Sequence, residues 1–114
     1  MIVKVIIKRK VKPEKAHDFF QTLKNLRAHA VQQQGYISGE TLLCAEDTNK
    51  VLIISKWESL PDWEAWRANE TRLEIDKTLT ALQEGPADYE PYVFSKYKAA
   101  AELDFPAPLQ EQDT

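Results

Sequence analysis

The stretch KVLIISKWESLPDWEAW, residues 50–66, joins an apolar, β-branched run to the start of a helix and decides the fold. Its β-branched residues are typical of a strand. Ser59, followed three residues later by Asp62, has the Ser-x-x-acid form of a capping box, which predicts that a helix begins there. All three tryptophans of the chain lie in this stretch: Trp57, Trp63 and Trp66. It therefore predicts a strand that leads into a helix, with large aromatic side chains anchoring the helix on a sheet.

Outside this junction, the patterns predict a first strand, a first helix and a long second helical region. Residues 2–11 alternate along a β-branched run, which is typical of a strand. From residue 13 onward, apolar side chains recur at helical spacing until Gly35 ends the run. The helix that begins after Ser59 extends to Gly85, with a kink and a restart at Asn69, because Asn is a favourable N-cap.

Three further strands complete the pattern. Residues 36–46 and 51–58 are predicted to pair as a hairpin, with the turn at residues 47–49, where Asp, Thr and Asn have turn chemistry. The last strand is predicted over residues 89–98, at an edge of the sheet because Pro91 lacks a backbone donor. The order β-α-β-β-α-β predicts an α+β, ferredoxin-like fold, with an antiparallel sheet and both helices on one face.

The face of the sheet away from the helices predicts a partner. Apolar side chains occupy this face on three of the predicted strands: Ile2 and Ile6 on the first, Leu52 and Ile54 or their neighbours on the third, and Tyr92 and Phe94 or their neighbours on the fourth. A face left to water should be more polar, so we expect two copies to pack sheet against sheet as a closed homodimer. One domain is predicted over residues 1–98, and residues 99–114 are expected to be a disordered end or an arm on the partner subunit.

Composition and charge exclude several classes of function. The 114 residues carry 15 Lys and Arg against 18 Asp and Glu, a net charge of −3, so we expect neither nucleic acid nor a membrane as a partner. No apolar run approaches the length of a membrane span, and the N-terminal run, broken by Lys4 and Lys8, is unlike a signal peptide. Cys44 is the only cysteine, so nothing demands an oxidising compartment and the expected location is cytoplasmic.

These features resemble the antibiotic biosynthesis monooxygenase domains, which belong to the dimeric α+β barrel group. The resemblance covers residues 2–98 and rests on the order of the elements, the hairpin leading into KWESLPDWEAW and the closing PADYEPYVFSKY. Its most specific motif is a strand ending in Trp57, Glu58 and Ser59, followed by a helix that carries Trp63 and Trp66. The resemblance implies the same dimeric barrel, in which two sheets pack face to face.

The resemblance also implies a pocket between the helices and the sheet, with Trp66 in its wall. Members similar in fold oxidise aromatic polyketides or quinols without metal or flavin, degrade a small signalling molecule, or open the haem ring. The haem-degrading branch has an Asn, a Trp and a His where this chain has Ile7, Trp66 and Asp76. Because only the Trp is shared, the proximal His ligand for haem iron is missing and haem degradation is not expected.

We assign the substrate-binding wall of this pocket to side chains from both layers: Trp66, Arg9, Ile7, Phe19, Leu23 and Tyr36. Arg9 shares a strand face with Ile7 and could hold an anionic or phenolate oxygen through its fork of donors. An arginine at the end of a strand can instead extend its charged group to water. Trp57 and Trp63 are assigned to packing at the junction, and structural roles are expected for Tyr36 and Cys44 if no ligand reaches them.

Arg72 and Asp76 are four residues apart and are therefore neighbours on one helix turn. One interpretation is a surface ion pair that contributes little to stability. In the other, partial burial prepares Asp76 to act as a base toward a phenol or an acidic C–H, with Arg72 or Arg9 holding the resulting oxyanion. On the second interpretation, the candidate catalytic residues are Asp76, Arg72 and Trp66.

No sequence signature calls for a bound cofactor. There is no phosphate-binding glycine loop, no clustered His and Cys, and no Ser-His-acid set, so neither metal nor cofactor is expected. His17 and His29 fall off the apolar side of the first helix and are expected to be solvated. Two classes of function remain: a monooxygenase whose small aromatic substrate supplies electrons to dioxygen, and a non-catalytic ligand-binding or structural dimer.

Overall fold

Four strands and three α-helices lie within residues 1–93, which are the residues that the computed structural model describes. Their bounds are β1 (Val3–Lys10), α1 (Ala16–Ala30), β2 (Tyr36–Cys44), β3 (Asp47–Trp57), α2 (Leu60–Arg67), α3 (Glu70–Ala81) and β4 (Asp88–Val93). A 3-10 turn at Pro13–Lys15 precedes α1. This order confirms the predicted arrangement, with the second helical region divided into α2 and α3. The end of the predicted last strand and the predicted tail, residues 94–114, lie outside the described residues.

The strands form one antiparallel sheet in the order β2-β3-β1-β4. Odd-numbered residues of β1 are buried toward the helices, and we call this side of the sheet the inner face and the opposite side the outer face. The register aligns Val5 with Ser55 on β3 and with Pro91 on β4. Pro91 therefore lies in an edge strand, as predicted, where its missing N–H breaks no ladder on the open side.

The turn of the hairpin lies at residues 45–46, and the predicted turn at residues 47–49 is wrong. Cys44 pairs directly with Asp47, and the register shifts between Leu43 and Cys44. The turn chemistry of Asp47 is used locally instead, because its carboxylate accepts a 3.1 Å hydrogen bond from the backbone N–H of Asn49. Facing apolar pairs such as Leu42 and Leu52 fix the register, so β3 begins four residues earlier than its apolar run.

Two side-chain caps set the directions of α2 and α3. The Ser59 hydroxyl accepts a 3.2 Å hydrogen bond from the backbone N–H of Asp62 and donates to the Asp62 carboxylate at 2.9 Å. The Asn69 side chain accepts a 3.0 Å hydrogen bond from the backbone N–H of Arg72. Both predicted N-caps are therefore formed. The second cap places Arg72 in the first turn of α3, where its side chain contacts the backbone carbonyl of Arg67 at the end of α2.

A glycine connects α1 to β2. α1 ends at Ala30, earlier than predicted, and the chain reaches β2 through Gly35, which has φ +85°. A Cβ at Gly35 would also collide with the Asp62 side chain. Only glycine satisfies both the backbone angle and the close approach. The backbone N–H of Glu58 donates to the Gly35 carbonyl at 2.7 Å, which ties the start of β2 to the end of β3.

The outer face carries apolar and basic side chains side by side. Its apolar members are the exposed or half-buried Ile2, Ile6, Leu42, Leu52, Ile54 and Tyr92. Lysines stand among them, and the register places Lys4 opposite Lys56 and Lys10 opposite Lys50. The face is therefore mixed rather than uniformly apolar. Packing of two copies through this face stays a prediction.

Candidate active site

A small cavity lies between the helices and the inner face of the sheet. Its volume is about 50 Å³, whereas an engineered apolar cavity that binds benzene has a volume of about 150 Å³. Six residues predicted for the site line it: Ile7, Arg9, Leu23, Tyr36, Trp66 and Arg72. An aromatic ligand can therefore enter this space only if side chains at its rim move outward.

The three tryptophans surround this cavity together. Trp57, Trp63 and Trp66 are all buried and all line it, so the two indoles assigned to packing at the junction also contact the cavity. Trp57 and Trp66 are stacked with ring centroids 6.5 Å apart, and Trp57 and Trp63 are tilted at 6.0 Å. The same indoles that anchor α2 on the sheet thus form an aromatic wall of the cavity.

Arg9 is held rigidly at the edge of the cavity. Its side chain is only 1% exposed, so the predicted alternative of an arginine extending to water is wrong. Nη1 donates to the Asp76 carboxylate at 3.0 Å and to the Gln83 side-chain oxygen at 2.7 Å, and Nη2 donates to the Tyr89 hydroxyl at 3.1 Å. Three partners from outside β1 therefore fix the orientation of one buried guanidinium.

Arg72 is the second buried guanidinium, and it does not pair with Asp76. It is 4% exposed, so the predicted surface ion pair is wrong. Nη1 donates to the Arg67 carbonyl at 3.1 Å, and Nη2 donates to the Tyr89 hydroxyl. Arg72 lines the cavity from the start of α3, whereas Asp76, one turn later, faces Arg9 instead.

Tyr89 connects these groups. Its hydroxyl oxygen accepts from Arg9 and Arg72 and lies 3.4 Å from an Asp76 carboxylate oxygen, to which it donates. The guanidinium carbons of Arg9, Arg67 and Arg72 also lie 5.8, 5.0 and 5.1 Å from the centre of its ring, distances typical of cation–π contacts. Tyr89 itself lines the cavity, so it links the charged cluster to the space where a ligand would sit.

Asp76 and Phe19, two predicted site residues, are not among the residues that line the cavity. Asp76 has 25% of its side chain exposed and reaches the cavity only through Arg9 and Tyr89. Phe19 is completely buried in the core and packs edge-to-face on Phe20. Phe19 therefore supports α1, while Leu23, one turn later, contacts the cavity.

The rim of the cavity contains the half-buried Tyr36 and Arg27. Tyr36 packs edge-on against Trp57 at 5.3 Å. A Cβ at Gly39 would lie 2.6 Å from the Tyr36 hydroxyl, so the glycine makes room for that group. Arg27 donates a 2.6 Å hydrogen bond to the Thr41 hydroxyl, which holds α1 close to β2. These two side chains are among the less buried residues of the cavity lining.

Several other features lie away from this cavity. His17 is exposed, His29 is half-buried, and neither lines it. Cys44 lines a separate groove of about 510 Å³ on the outer face, with Lys8 and Lys50. Within residues 1–93 there is no group of three or more His, Cys, Asp or Glu that could hold a metal ion, and no helix is both long and apolar enough to cross a membrane.

Sequence reasoning misses Tyr89 and Gln83. The pattern places Tyr89 in the last strand without assigning its face, because the register of an edge strand is not visible in the sequence. The structure pairs Tyr89 with Ile7, and this places it on the inner face. Gln83 follows α3 and is 3% exposed, a burial that a polar residue near a predicted helix end does not reveal.

A sequence model of the family described as antibiotic biosynthesis monooxygenase matches residues 2–77 of this chain. The chain belongs to that family. Residues 2–77 include β1 through most of α3 and therefore all the elements that carry the three tryptophans and the two buried arginines. Among curated protein sequences, none matches the chain.

Solved structures share the antibiotic biosynthesis monooxygenase fold with this chain. A conserved protein from Methanosarcina mazei Go1 has a TM-score of 0.78 at 19% identity, over 83% of this chain and 94% of that one. SnoaB, a cofactor-independent oxygenase from Streptomyces nogalater, has a TM-score of 0.73 at 16% identity, over 85% and 96%. A putative antibiotic biosynthesis monooxygenase from Nitrosomonas europaea gives 0.75 at 16%, over 85% and 92%. At these identities the likeness concerns the fold.

Proposed function

We propose that the protein is a cofactor-independent monooxygenase that acts on a small aromatic, quinol or polyketide-like substrate in the cavity beside Trp66. One observation carries the proposal: buried indoles and two buried guanidiniums line the same space. A flat ring packs on the indoles, and the guanidiniums stabilise negative charge that develops on an oxygen of the substrate. Membership of the monooxygenase family and the fold shared with a cofactor-independent oxygenase support it.

In the proposed reaction, the substrate supplies all the electrons. A phenol or quinol loses a proton, and its anion transfers an electron to dioxygen. The resulting radicals then recombine at carbon, which forms the new C–O bond. Loss of water converts the peroxide to a carbonyl, so that a CH₂ group and O₂ give C=O and H₂O. The protein orients the ring, excludes water and stabilises the anion.

The proposed roles follow the contacts. Trp66 packs on the ring, with Ile7, Leu23 and Tyr36 completing the wall. Arg9 and Arg72 hold the oxyanion. Asp76, which does not line the cavity, is the proposed proton acceptor and acts through the Tyr89 hydroxyl that it contacts. Phe19 does not line the cavity, so its proposed role is to pack α1 against the core.

A non-catalytic ligand-binding or structural dimer is the second candidate. The observation that favours it is the small volume of the cavity, about 50 Å³, because most ligand pockets are several times larger. Haem degradation is not proposed, since Ile7 and Asp76 stand where that branch has Asn and His. We also propose that the protein acts in the cytoplasm as a homodimer joined through the outer faces.

Oxygen consumption tests the two candidates. Purified protein in chelator-treated buffer is given a panel of quinols and anthrone-like phenols, and dioxygen uptake is followed with an electrode. We expect turnover with at least one substrate and a loss of about 10²-fold or more in kcat/KM for Arg72→Met, because a donor to the oxyanion is removed. The matched control is Lys77→Met, which also removes one positive charge from α3 but whose side chain is 75% exposed and does not line the cavity. No turnover, combined with no quenching of tryptophan fluorescence, would contradict the enzyme proposal.

A further inference from the structure

The buried cluster beside the cavity contains two positive side chains, Arg9 and Arg72, and one negative side chain, Asp76. Arg9 and Arg72 are each 4% exposed, and both line the cavity. Asp76 pairs with Arg9 at 3.0 Å. Within residues 1–93, no carboxylate oxygen lies within 4.0 Å of the Arg72 guanidinium, whose partners are a carbonyl and a hydroxyl. An unpaired buried charge is costly, so the cluster favours a ligand that carries one negative charge.

Two N–H groups of side chains that line the cavity lack an acceptor. Nε of Arg9 and Nε1 of Trp63 are buried and have no hydrogen-bond partner among the described residues. Both side chains line the cavity. By contrast, the indole N–H of Trp57, which lines the same cavity, donates to the Ser55 hydroxyl at 3.1 Å. Buried N–H groups are rarely left without an acceptor, so these two donors point to an oxygen supplied by a ligand.

We infer that the cavity binds the singly charged conjugate base of a phenol or enol, with its oxygen accepting from Trp63 Nε1 and Arg9 Nε. This inference rests on the proposed function, because it names the form in which the substrate binds and the residues that select it. Trp63 becomes a specificity-determining residue in addition to its packing at the junction. Arg72 supplies the charge that matches the anion.

The arrangement favours a phenolate over a carboxylate. A carboxylate binds arginine best through two parallel hydrogen bonds, but both Nη atoms of Arg9 are already engaged by Asp76, Gln83 and Tyr89. The Nε–H that remains suits a single oxygen. The indole wall also suits a conjugated ring, over which the charge of a phenolate is spread.

Binding of 4-nitrophenol tests the inference directly, because its phenolate absorbs visible light and its neutral form does not. With protein in excess, we expect the pH at which the dye ionises to fall, since the anion binds more tightly than the phenol. The neutral analogue 4-nitroanisole and the carboxylate 4-nitrobenzoate are the comparison ligands. Each is expected to bind at least about ten-fold more weakly than the phenolate.

Matched tryptophan variants locate the donor. Trp63→Phe keeps an aromatic ring and removes the free N–H, and we expect about ten-fold weaker binding of the phenolate. Trp57→Phe removes an N–H that already has an acceptor, and a smaller loss is expected. Arg72→Met removes the unmatched charge and should weaken phenolate binding by a larger factor than it weakens 4-nitroanisole binding. Circular dichroism at the assay temperature identifies variants that retain the fold.

Binding and turnover separate the two proposals. The inference is overturned by a dye whose ionisation does not shift, by equal affinity for phenolate and the neutral or carboxylate analogue, or by equal losses in the two tryptophan variants. These results concern binding alone. If phenolates bind as described and no substrate consumes dioxygen, the anion site stands and the monooxygenase proposal fails. Turnover without a preference for the phenolate would support the monooxygenase proposal and overturn the anion site.

Discussion

Arg9 and Lys10 are neighbours in β1 and carry the same charge, but they lie on opposite faces of the sheet. The Arg9 side chain is 1% exposed and donates to three partners, whereas the Lys10 side chain is 49% exposed and forms only a 3.8 Å ion pair with Asp47. A buried charge must be satisfied by fixed groups, while an exposed one is screened by water. The inner face thus holds its charged side chains in fixed positions beside the cavity, whereas charged side chains on the outer face are left to solvent.

The sharpest test of this contrast removes one aromatic side chain from each face. Trp57 is 0% exposed on the inner face, and Tyr92 is 57% exposed on the outer face. We expect Trp57→Ala to lower the free energy of unfolding by about 3–5 kcal/mol, because it leaves a large void in the core. Tyr92→Ala, compared at a concentration at which the chain is monomeric, should change it by about 0.5 kcal/mol or less. Urea unfolding followed by circular dichroism measures both, and equal losses would show that the faces are not distinct.

The second test concerns what covers the outer face. Ile54 is half-buried at its centre, opposite Ile6. If two copies pack through this face, Ile54→Asp places a charge in the interface and should weaken the dimer by about 2 kcal/mol or more, roughly thirty-fold in Kd. Glu74→Lys, on the exposed side of α3, is the control. Sedimentation equilibrium measures both. A wild-type chain that is monomeric at micromolar concentration would refute the dimer.

The third test removes the carboxylate that pairs with each of the two basic side chains: Asp76, the partner of Arg9, and Asp47, the partner of Lys10. Asp76→Ala leaves Arg9 and Arg72 buried without a counter-charge. Removing one partner of a fully buried pair costs about 3–5 kcal/mol, and because Asp76 is 25% exposed we expect about 2 kcal/mol. Asp47→Asn breaks only the exposed pair with Lys10 and should cost about 0.5 kcal/mol or less. Thermal unfolding compares the two, and an Asp76 variant as stable as the Asp47 variant would contradict the buried network.

The smallest effect is expected on the exposed surface. The Tyr92 hydroxyl donates to the Glu90 carboxylate at 3.2 Å, and this hydrogen bond, together with the negative charge of Glu90, raises the pKa of Tyr92 above 10.0. Glu90→Gln should lower that pKa toward its ordinary value. Ultraviolet absorbance of the phenolate against pH measures the shift, and subtraction of the Tyr92→Phe titration isolates this tyrosine. An unchanged titration would show that Glu90 does not act on it.

The sequence predicts much of the fold because its signals are local. Alternation in β1 and the caps at Ser59 and Asn69 depend on residues a few positions apart, and each is found where expected. The hairpin turn is predicted at the wrong residues because the Asp47 carboxylate accepts a hydrogen bond from the backbone N–H of Asn49 within β3 and not in a turn. Local turn chemistry therefore does not decide a register that facing apolar pairs determine.

The site is less predictable because its contacts are not local. Six predicted residues line the cavity; the resemblance to the family implied the pocket, and the strand and helix patterns indicated side chains that face it. The pairing of Asp76 with Arg9 rather than Arg72 depends on how α3 lies across the sheet. Tyr89 joins the cluster only through the register of an edge strand. The unpartnered N–H of Trp63 is invisible in a sequence, because any buried tryptophan could have found an acceptor.

The contacts of Arg9 also bear on when the site forms during folding. Its partners Asp76, Gln83 and Tyr89 lie 67, 74 and 80 residues away along the chain. Contacts between such distant positions close large loops and slow folding. The charged cluster can assemble only after β4 has docked beside β1. A nascent chain whose β4 is still inside the ribosome therefore lacks the complete cluster.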